Sequence, residues 1–163
     1  MKERFVKVIR ENMGIINSLC RVYYCSAHDR EDARQDIILQ LWKSFPKFRE
    51  ESQVSTWIYR VSLNTIFSDL RKSNRRPKSL PIEDHRLVDH ASPIAFDDDH
   101  QFLQHLIGSL KPIDKALLIL HLEGYQHNEI ATMLNIRYST VTTRLNRARS
   151  GLKKIYEHKT RKI

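Results

Sequence analysis

The sequence predicts an all-α fold built as two small helical domains on a connector, and three observations lead there. Glycine is scarce, with 4 among 163 residues. No apolar/polar alternation lasts long enough for a strand, whereas apolar residues recur at steps of three and four through most of the chain. The long exception is residues 75–99, which hold three prolines and no period. A structureless run of that length is uncommon inside one compact domain. The expected division is therefore residues 1–74, a flexible linker over 75–99, and residues 100–163.

The first helix is expected from Arg4 to Tyr24, where Ile9, Met13, Ile16, Cys20 and Tyr23 line one face. A second starts near Asp29, with acids in its first turn suiting the helix dipole, and ends at Pro46. Its apolar stripe is Ala33, Ile37 and Leu41, flanked by Ile38 and Trp42. A polar loop from Phe48 to Ser55 follows, and Ser55 is placed to cap a third helix from Thr56 to about Lys72. Beyond the linker, Asp97, Asp98 and Asp99 are expected to begin a short helix. Another helix begins near Pro112 and carries Ala116, Leu117, Leu120 and His121, until Gly124 stops it. A short helix, His127 to Leu134, ends at Asn135, a residue tolerant of the left-handed conformation. Ser139 is then expected to cap a last, longer helix from Thr140.

Charge is distributed unevenly. The net of +9 divides into 16 basic and 9 acidic residues over 1–78, 3 and 8 over 79–126, and 9 and 2 over 127–163. Two basic blocks around an acidic middle fit two surfaces for a polyanion, although solvated lysines alone produce a similar total. The two cysteines, Cys20 and Cys25, lie near no metal-ligand set, so no metal is expected and a reducing compartment fits. No apolar segment approaches the roughly 20 residues of a membrane span. The first residues, MKERFVKVIRE, lack the apolar core of a signal peptide. The expectation is a cytoplasmic protein with no membrane insertion.

The last two helices, joined by a tight turn, form a helix-turn-helix. On the second of them Val141, Leu145, Ala148, Leu152 and Ile155 fall on one side, at roughly 100° per residue. Thr142, Thr143, Asn146, Arg147 and Ser150 fall opposite, and Arg144 and Arg149 edge the flanks. An ordinary surface helix would mix acids with bases at i,i+4, but residues 140–150 contain no acid. Hydroxyls, an amide and arginine suit base edges in a major groove, and flanking guanidiniums suit phosphates.

Three ordered segments carry a family resemblance: DREDARQDIILQLW from Asp29, FREESQVSTWIYRVSLNTIFSDLR from Phe48, and LEGYQHNEIATMLNIRYSTVTTRLNRAR from Leu122. Together they resemble an extracytoplasmic-function (ECF, group IV) bacterial sigma factor over nearly the whole chain outside the linker. The resemblance implies a region 2-like and a region 4-like domain, core RNA polymerase and promoter DNA as partners, and an anti-sigma factor in many relatives. It implies no catalytic centre and no cofactor. Asp32, Gln35 and Asp36 match polymerase-contact positions, although acids there also suit the helix dipole. Ser44, Phe48, Val61 and Asn64 match the pocket for a base flipped from the −10 element. Arg71, Lys72, Arg75 and Arg76 look like phosphate contacts near the duplex, and Arg60, with Arg71, edges the same face. Trp57 fits either core packing or this DNA face. Thr142, Thr143, Asn146 and Arg147 fall on the −35 reading face, with Arg144 and Arg149 on backbone. Gln126 stands where the family usually has a Ser or Thr cap, a weaker choice. The alternative is a stand-alone helix-turn-helix regulator that binds duplex DNA without polymerase.

Overall fold

The computed structural model describes residues 1–49, 51–75 and 107–160. These residues are helical with short connections and no strand, and the chain divides into two compact units, Met1–Pro93 and Ile94–Ile163. The expected linker from Arg76 onward and the expected helix at Asp97–Asp99 lie outside the described residues.

The first unit contains α1 (Lys2–Glu11), α2 (Met13–Tyr23), α3 (Ala27–Ser44), a 3-10 turn (Phe45–Lys47) and α4 (Val54–Arg75). Helices α2, α3 and α4 pack against one another pairwise. Ile16, Leu19, Ile37, Leu41, Ile58, Leu63 and Ile66 are wholly buried among them, and Phe5 and Ile9 attach α1. The single helix expected over Arg4–Tyr24 is two. Asn12 leaves helical geometry at φ −113° and ψ 13°, and its Nδ2 donates to the Val8 carbonyl at 2.9 Å. An Asn side chain that satisfies nearby backbone offers the chain an exit from the helix. The apolar spacing runs on across the break, which is why periodicity alone does not show it.

Helix α3 starts at Ala27. Ser26 caps it, accepting the Asp29 amide at 3.0 Å. The buried stripe is Ala33, Ile37 and Leu41, as its spacing demands. Pro46 sits within the 3-10 turn that closes the helix. Helix α4 begins at Val54 rather than Thr56, so Ser55 lies in its first turn and is not the cap. Its far end reaches Arg75, slightly past Lys72.

The second unit contains α5 (Pro112–Leu122), α6 (His127–Leu134) and α7 (Tyr138–Thr160), each packed on the other two. Pro112 occupies the first turn of α5, where its missing N–H costs nothing. Gly124 ends α5 at φ +90°, with its amide donating to His121 O at 3.1 Å and that of Tyr125 to Leu120 O at 3.1 Å. Asn135 ends α6 in the left-handed region, φ 53° and ψ 48°. Ile136 then donates to Ala131 O at 3.0 Å. Gln126 is not left as a weak cap, because Glu129 accepts its amide at 2.7 Å. Helix α7 starts at Tyr138, with Thr140 N donating to Arg137 O at 2.9 Å. Ser139 is therefore inside the first turn and does not cap. Ala116, Leu117, Leu120, Ile130, Val141 and Leu145 form the core of this unit, with at most 1% exposure each.

Candidate nucleic-acid and polymerase interfaces

Helix α3 buries one stripe and offers the opposite one. Asp32, Gln35 and Asp36 are all exposed there. Asp32 lies 3.3 Å from His28 Nδ1, and Gln35 donates to Glu31 Oε1 at 3.3 Å. These are exposed contacts on the helix's own surface, worth little to stability. Arg34 is turned away, ion-paired with Glu31 and within 3.5 Å of Asn17 Oδ1 on α2. The apolar neighbour of the acids is Leu39, 46% exposed, together with Trp42 at 37%. Ile38, expected in that role with Trp42, is half-buried. The sequence signal for Leu39 was its place outside the 33–37–41 stripe, three residues from Asp36 and four from Gln35. The α3 face thus combines acids with an exposed aliphatic side chain.

The second surface joins the end of α3 to α4. Trp57, Val61 and Ser68 are half-buried along one line of α4, and Asn64 in the same line is exposed. The Asn64 amide has no side-chain partner among the described residues. Phe48 stacks on Trp57 with ring centroids 4.8 Å apart and planes 29° from parallel. Trp57 in turn lies 6.0 Å from Phe45, and Phe5 meets Phe45 at 5.2 Å and Trp42 at 5.0 Å, both edge-on. Trp57 is therefore both a packing residue and the support of Phe48. Ser44 is half-buried, and its hydroxyl donates to the Gln40 and Leu41 carbonyls at 2.8 and 3.2 Å. Arg60, Arg71 and Lys72 are exposed along α4. Arg75 ends the helix, and Arg76 lies outside the described residues. On the other side of α4, Ile58, Tyr59, Ser62, Leu63 and Ile66 are buried. Tyr24 ties α2 to this helix, its hydroxyl donating to Asp69 Oδ2 at 2.9 Å. Burial, then that bond and the Asp69 charge, push the Tyr24 phenol well above its ordinary range.

The third surface is α7. Val141, Leu145 and Ala148 are buried and Leu152 is half-buried, so the apolar back holds; the side chain of Ile155 is not among those described. Thr143, Asn146, Arg147 and Ser150 stand exposed in front. The flanks are more committed than the pattern implies. Arg144 Nη1 meets Asp114 Oδ1 of α5 at 2.9 Å, and the Asp114 side chain is only 18% exposed. Arg149 approaches His121 Nε2. The His121 imidazole is pushed below its ordinary pKa by burial first, then by the Arg149 and His127 charges. A neutral ring can accept from a guanidinium, which has no acceptor of its own. Thr142 is half-buried; its Oγ1 is 3.4 Å from His127 Nδ1 and donates to Tyr138 O at 3.3 Å. Tyr138 is 58% exposed at the start of the helix.

No group of three potential metal ligands occurs among the described residues, and no described helix is long and apolar enough to cross a membrane.

A helix-turn-helix whose second helix buries an apolar back and exposes a front with no acid over residues 140–150 is the layout of a DNA-binding protein. Residues 8–76 match the model of sigma-70 region 2 and residues 101–152 that of sigma-70 region 4, together more than half of the chain. RNA polymerase sigma-H factor of Pseudomonas aeruginosa is 28% identical over 163 aligned residues, which take in 90% of this chain and 82% of that one. ECF RNA polymerase sigma factor SigM of Mycobacterium tuberculosis is 26% identical, covering 93% of this chain and 76% of its own. Among solved structures, the fold is similar to that of the sigma factor RpoE, crystallised with the anti-sigma factor NepR from Bartonella quintana. That likeness has a TM-score of 0.70 at 19% identity and covers 96% of each chain. CnrH, solved with the cytosolic domain of CnrY, gives a TM-score of 0.66 at 15% identity over 97% of this chain and 90% of that one. The chain belongs to the sigma-70 family as an ECF-type sigma factor, which binds core RNA polymerase and directs promoter recognition and transcription initiation.

Proposed function

We propose that the chain is a group IV sigma factor whose surfaces divide the work as follows. The α3 face of Asp32, Gln35 and Asp36, with Leu39 and Trp42 beside it, docks on a basic helical element of core polymerase. Acids there steer and orient, and the apolar side chains supply the area that leaves water. Ser44, Phe48, Val61 and Asn64 hold a base flipped from the −10 element, with Asn64 bonding the base edge and Phe48, backed by Trp57, forming a wall. Arg60, Arg71, Lys72, Arg75 and Arg76 neutralise phosphates nearby. On α7, the exposed Thr143, Asn146 and Arg147 face the −35 element, Thr142 lies half-buried behind them, and Arg144 and Arg149 edge it.

The functional boundaries proposed are residues 1–74 for polymerase and −10 DNA, 75–99 for a flexible tether, and 100–163 for −35 DNA. Each unit is small, so each alone binds DNA weakly; tethering raises the effective concentration of the second once the first is engaged. No reaction is assigned to the chain itself, because the phosphodiester chemistry belongs to the polymerase. An anti-sigma factor, the kind of partner with which RpoE of Bartonella quintana was crystallised, would inhibit by covering the α3 face.

The observation that carries this reading is the uncommitted state of Asn64, Thr143, Asn146 and Arg147. All four are exposed, and none has a side-chain partner among the described residues. The test is a gel shift on promoter duplex with and without core enzyme. Specific binding should require the core enzyme. Tight binding by the free chain to a palindromic site would instead favour a stand-alone regulator.

A further inference from the structure

The two threonines at the centre of α7, adjacent in sequence, are not equivalent in the structure. Thr143 is exposed, whereas Thr142 is half-buried. The Thr142 hydroxyl lies between Tyr138 O at 3.3 Å and His127 Nδ1 at 3.4 Å. Both contacts are long, but they are satisfied together when His127 carries its proton on Nδ1 and Thr142 donates to the carbonyl. The His127 ring is itself held on two sides, 5.7 Å from His121 and 6.0 Å from Tyr138. Thr142 thus already has local partners for both its donor and its acceptor.

Ser139 is in the opposite condition. It is not a cap, since α7 begins at Tyr138. One turn before Thr143, it is exposed, and its hydroxyl has no partner among the described residues. Steps of four, three and four place Ser139, Thr143, Asn146 and Ser150 close to one line, with Arg147 one turn on from Thr143 beside it. In helix-turn-helix proteins the early residues of the recognition helix are those that reach base edges.

We propose that −35 specificity in this protein is read by a row of Ser139, Thr143, Asn146 and Arg147, with His127 a positioning residue that holds Thr142 out of the row. The proposal rests on the reading of α7 as the −35 helix. It replaces one hydroxyl reader, Thr142, by another about one turn nearer the start of the helix, which shifts the base pairs a serine or threonine can sense. A hydroxyl is a flexible donor and acceptor, so Ser139 is expected to tune a preference rather than impose a single base.

The experiment uses the full chain with core polymerase. A promoter library randomised across the −35 element is selected with the wild-type holoenzyme, and base preferences are then measured for variants by run-off transcription. Ser139→Ala should lower the preference at one or two adjacent base pairs by about fivefold, the size of one net hydrogen bond. Thr142→Val, nearly isosteric, should change every preference less than about twofold in the wild-type background. In a His127→Leu background the released Thr142 should matter, so that adding Thr142→Val shifts preference by about threefold or more. His127→Asn, which retains a short side-chain donor, should restore the wild-type profile, which a role in folding alone would not require.

A neutral Ser139→Ala, or a Thr142→Val that re-specifies the site as strongly as Thr143→Val, overturns the proposal. Arg147→Ala separates the two levels. If it alters the −35 preference while Ser139→Ala does not, the assignment of the row is wrong and the reading of α7 stands. If neither alters it, the reading of α7 has itself failed.

Discussion

Leu39→Ala tests the polymerase-facing role of α3 at the residue whose burial pattern has no intramolecular explanation. Leu39 keeps 46% of its surface exposed among Asp32, Gln35 and Asp36 on one helix face. Full burial of a leucine side chain is worth about 1.5–3 kcal/mol, so covering the fraction still exposed is worth about 0.7–1.4 kcal/mol. Truncation to alanine should therefore weaken core-polymerase affinity about threefold to tenfold. A dye-labelled chain titrated with purified core enzyme and followed by anisotropy measures this directly. Surface substitutions usually move stability by less than about 0.5 kcal/mol, so the thermal unfolding curve should be unchanged. Leu39→Asp adds a third acid near Asp32 and Asp36 and separates the apolar from the charge contribution. Affinity that survives Leu39→Ala within error, at unchanged fold, would refute the docking of this face.

Four further outcomes are expected. Asn64→Ala should reduce promoter opening, read by permanganate reactivity, more than it reduces polymerase affinity; full opening would remove Asn64 from the base pocket. Arg147→Ala should cost about 1–3 kcal/mol at one −35 base pair while sparing others, and an unaltered base preference counts against it. Arg144→Ala leaves Asp114, 18% exposed, without its partner at 2.9 Å; after discounting for that exposure, unfolding of the second unit should be easier by about 1 kcal/mol, and Asp114→Asn in the same chain should recover part of it. His121 has a pKa lowered in the folded state, so the unfolded chain binds protons first as pH falls. Stability should be complete above the ordinary histidine value of about 6.5 and decline as pH drops through it, a slope that His121→Gln should reduce and that denaturant melts across that window should show.

Much of the fold was legible because helices announce themselves by spacing. Ala33, Ile37 and Leu41 recur every four residues and are buried as a stripe. Gly124 and Asn135 supply the left-handed backbone that ends α5 and α6. The break at Asn12 is hidden because apolar residues keep their spacing on both sides of it, while the Asn12 backbone departs from helical geometry and its side chain bonds Val8 O. Ser55 and Ser139 lie inside their helices rather than at the caps, because a serine one or two residues inside a helix is hard to tell by sequence from one at its cap, where boundaries shift by a residue or two. At the interfaces, the exposed state of Asn64, Asn146 and Arg147 followed from the apolar residues opposite them. The commitments of Thr142 to His127, Arg144 to Asp114 and Arg149 to His121 did not, since each partner lies on a different helix, 15 to 30 residues away.

The division of labour between two recognition units answers most directly to footprinting of one promoter by the chain alone, by core polymerase alone and by the two together. Protection at both the −10 and −35 elements, with unpaired bases at −10, should arise only in the third case. Failure of the chain to associate with core enzyme, or equal protection in its absence, would contradict the account.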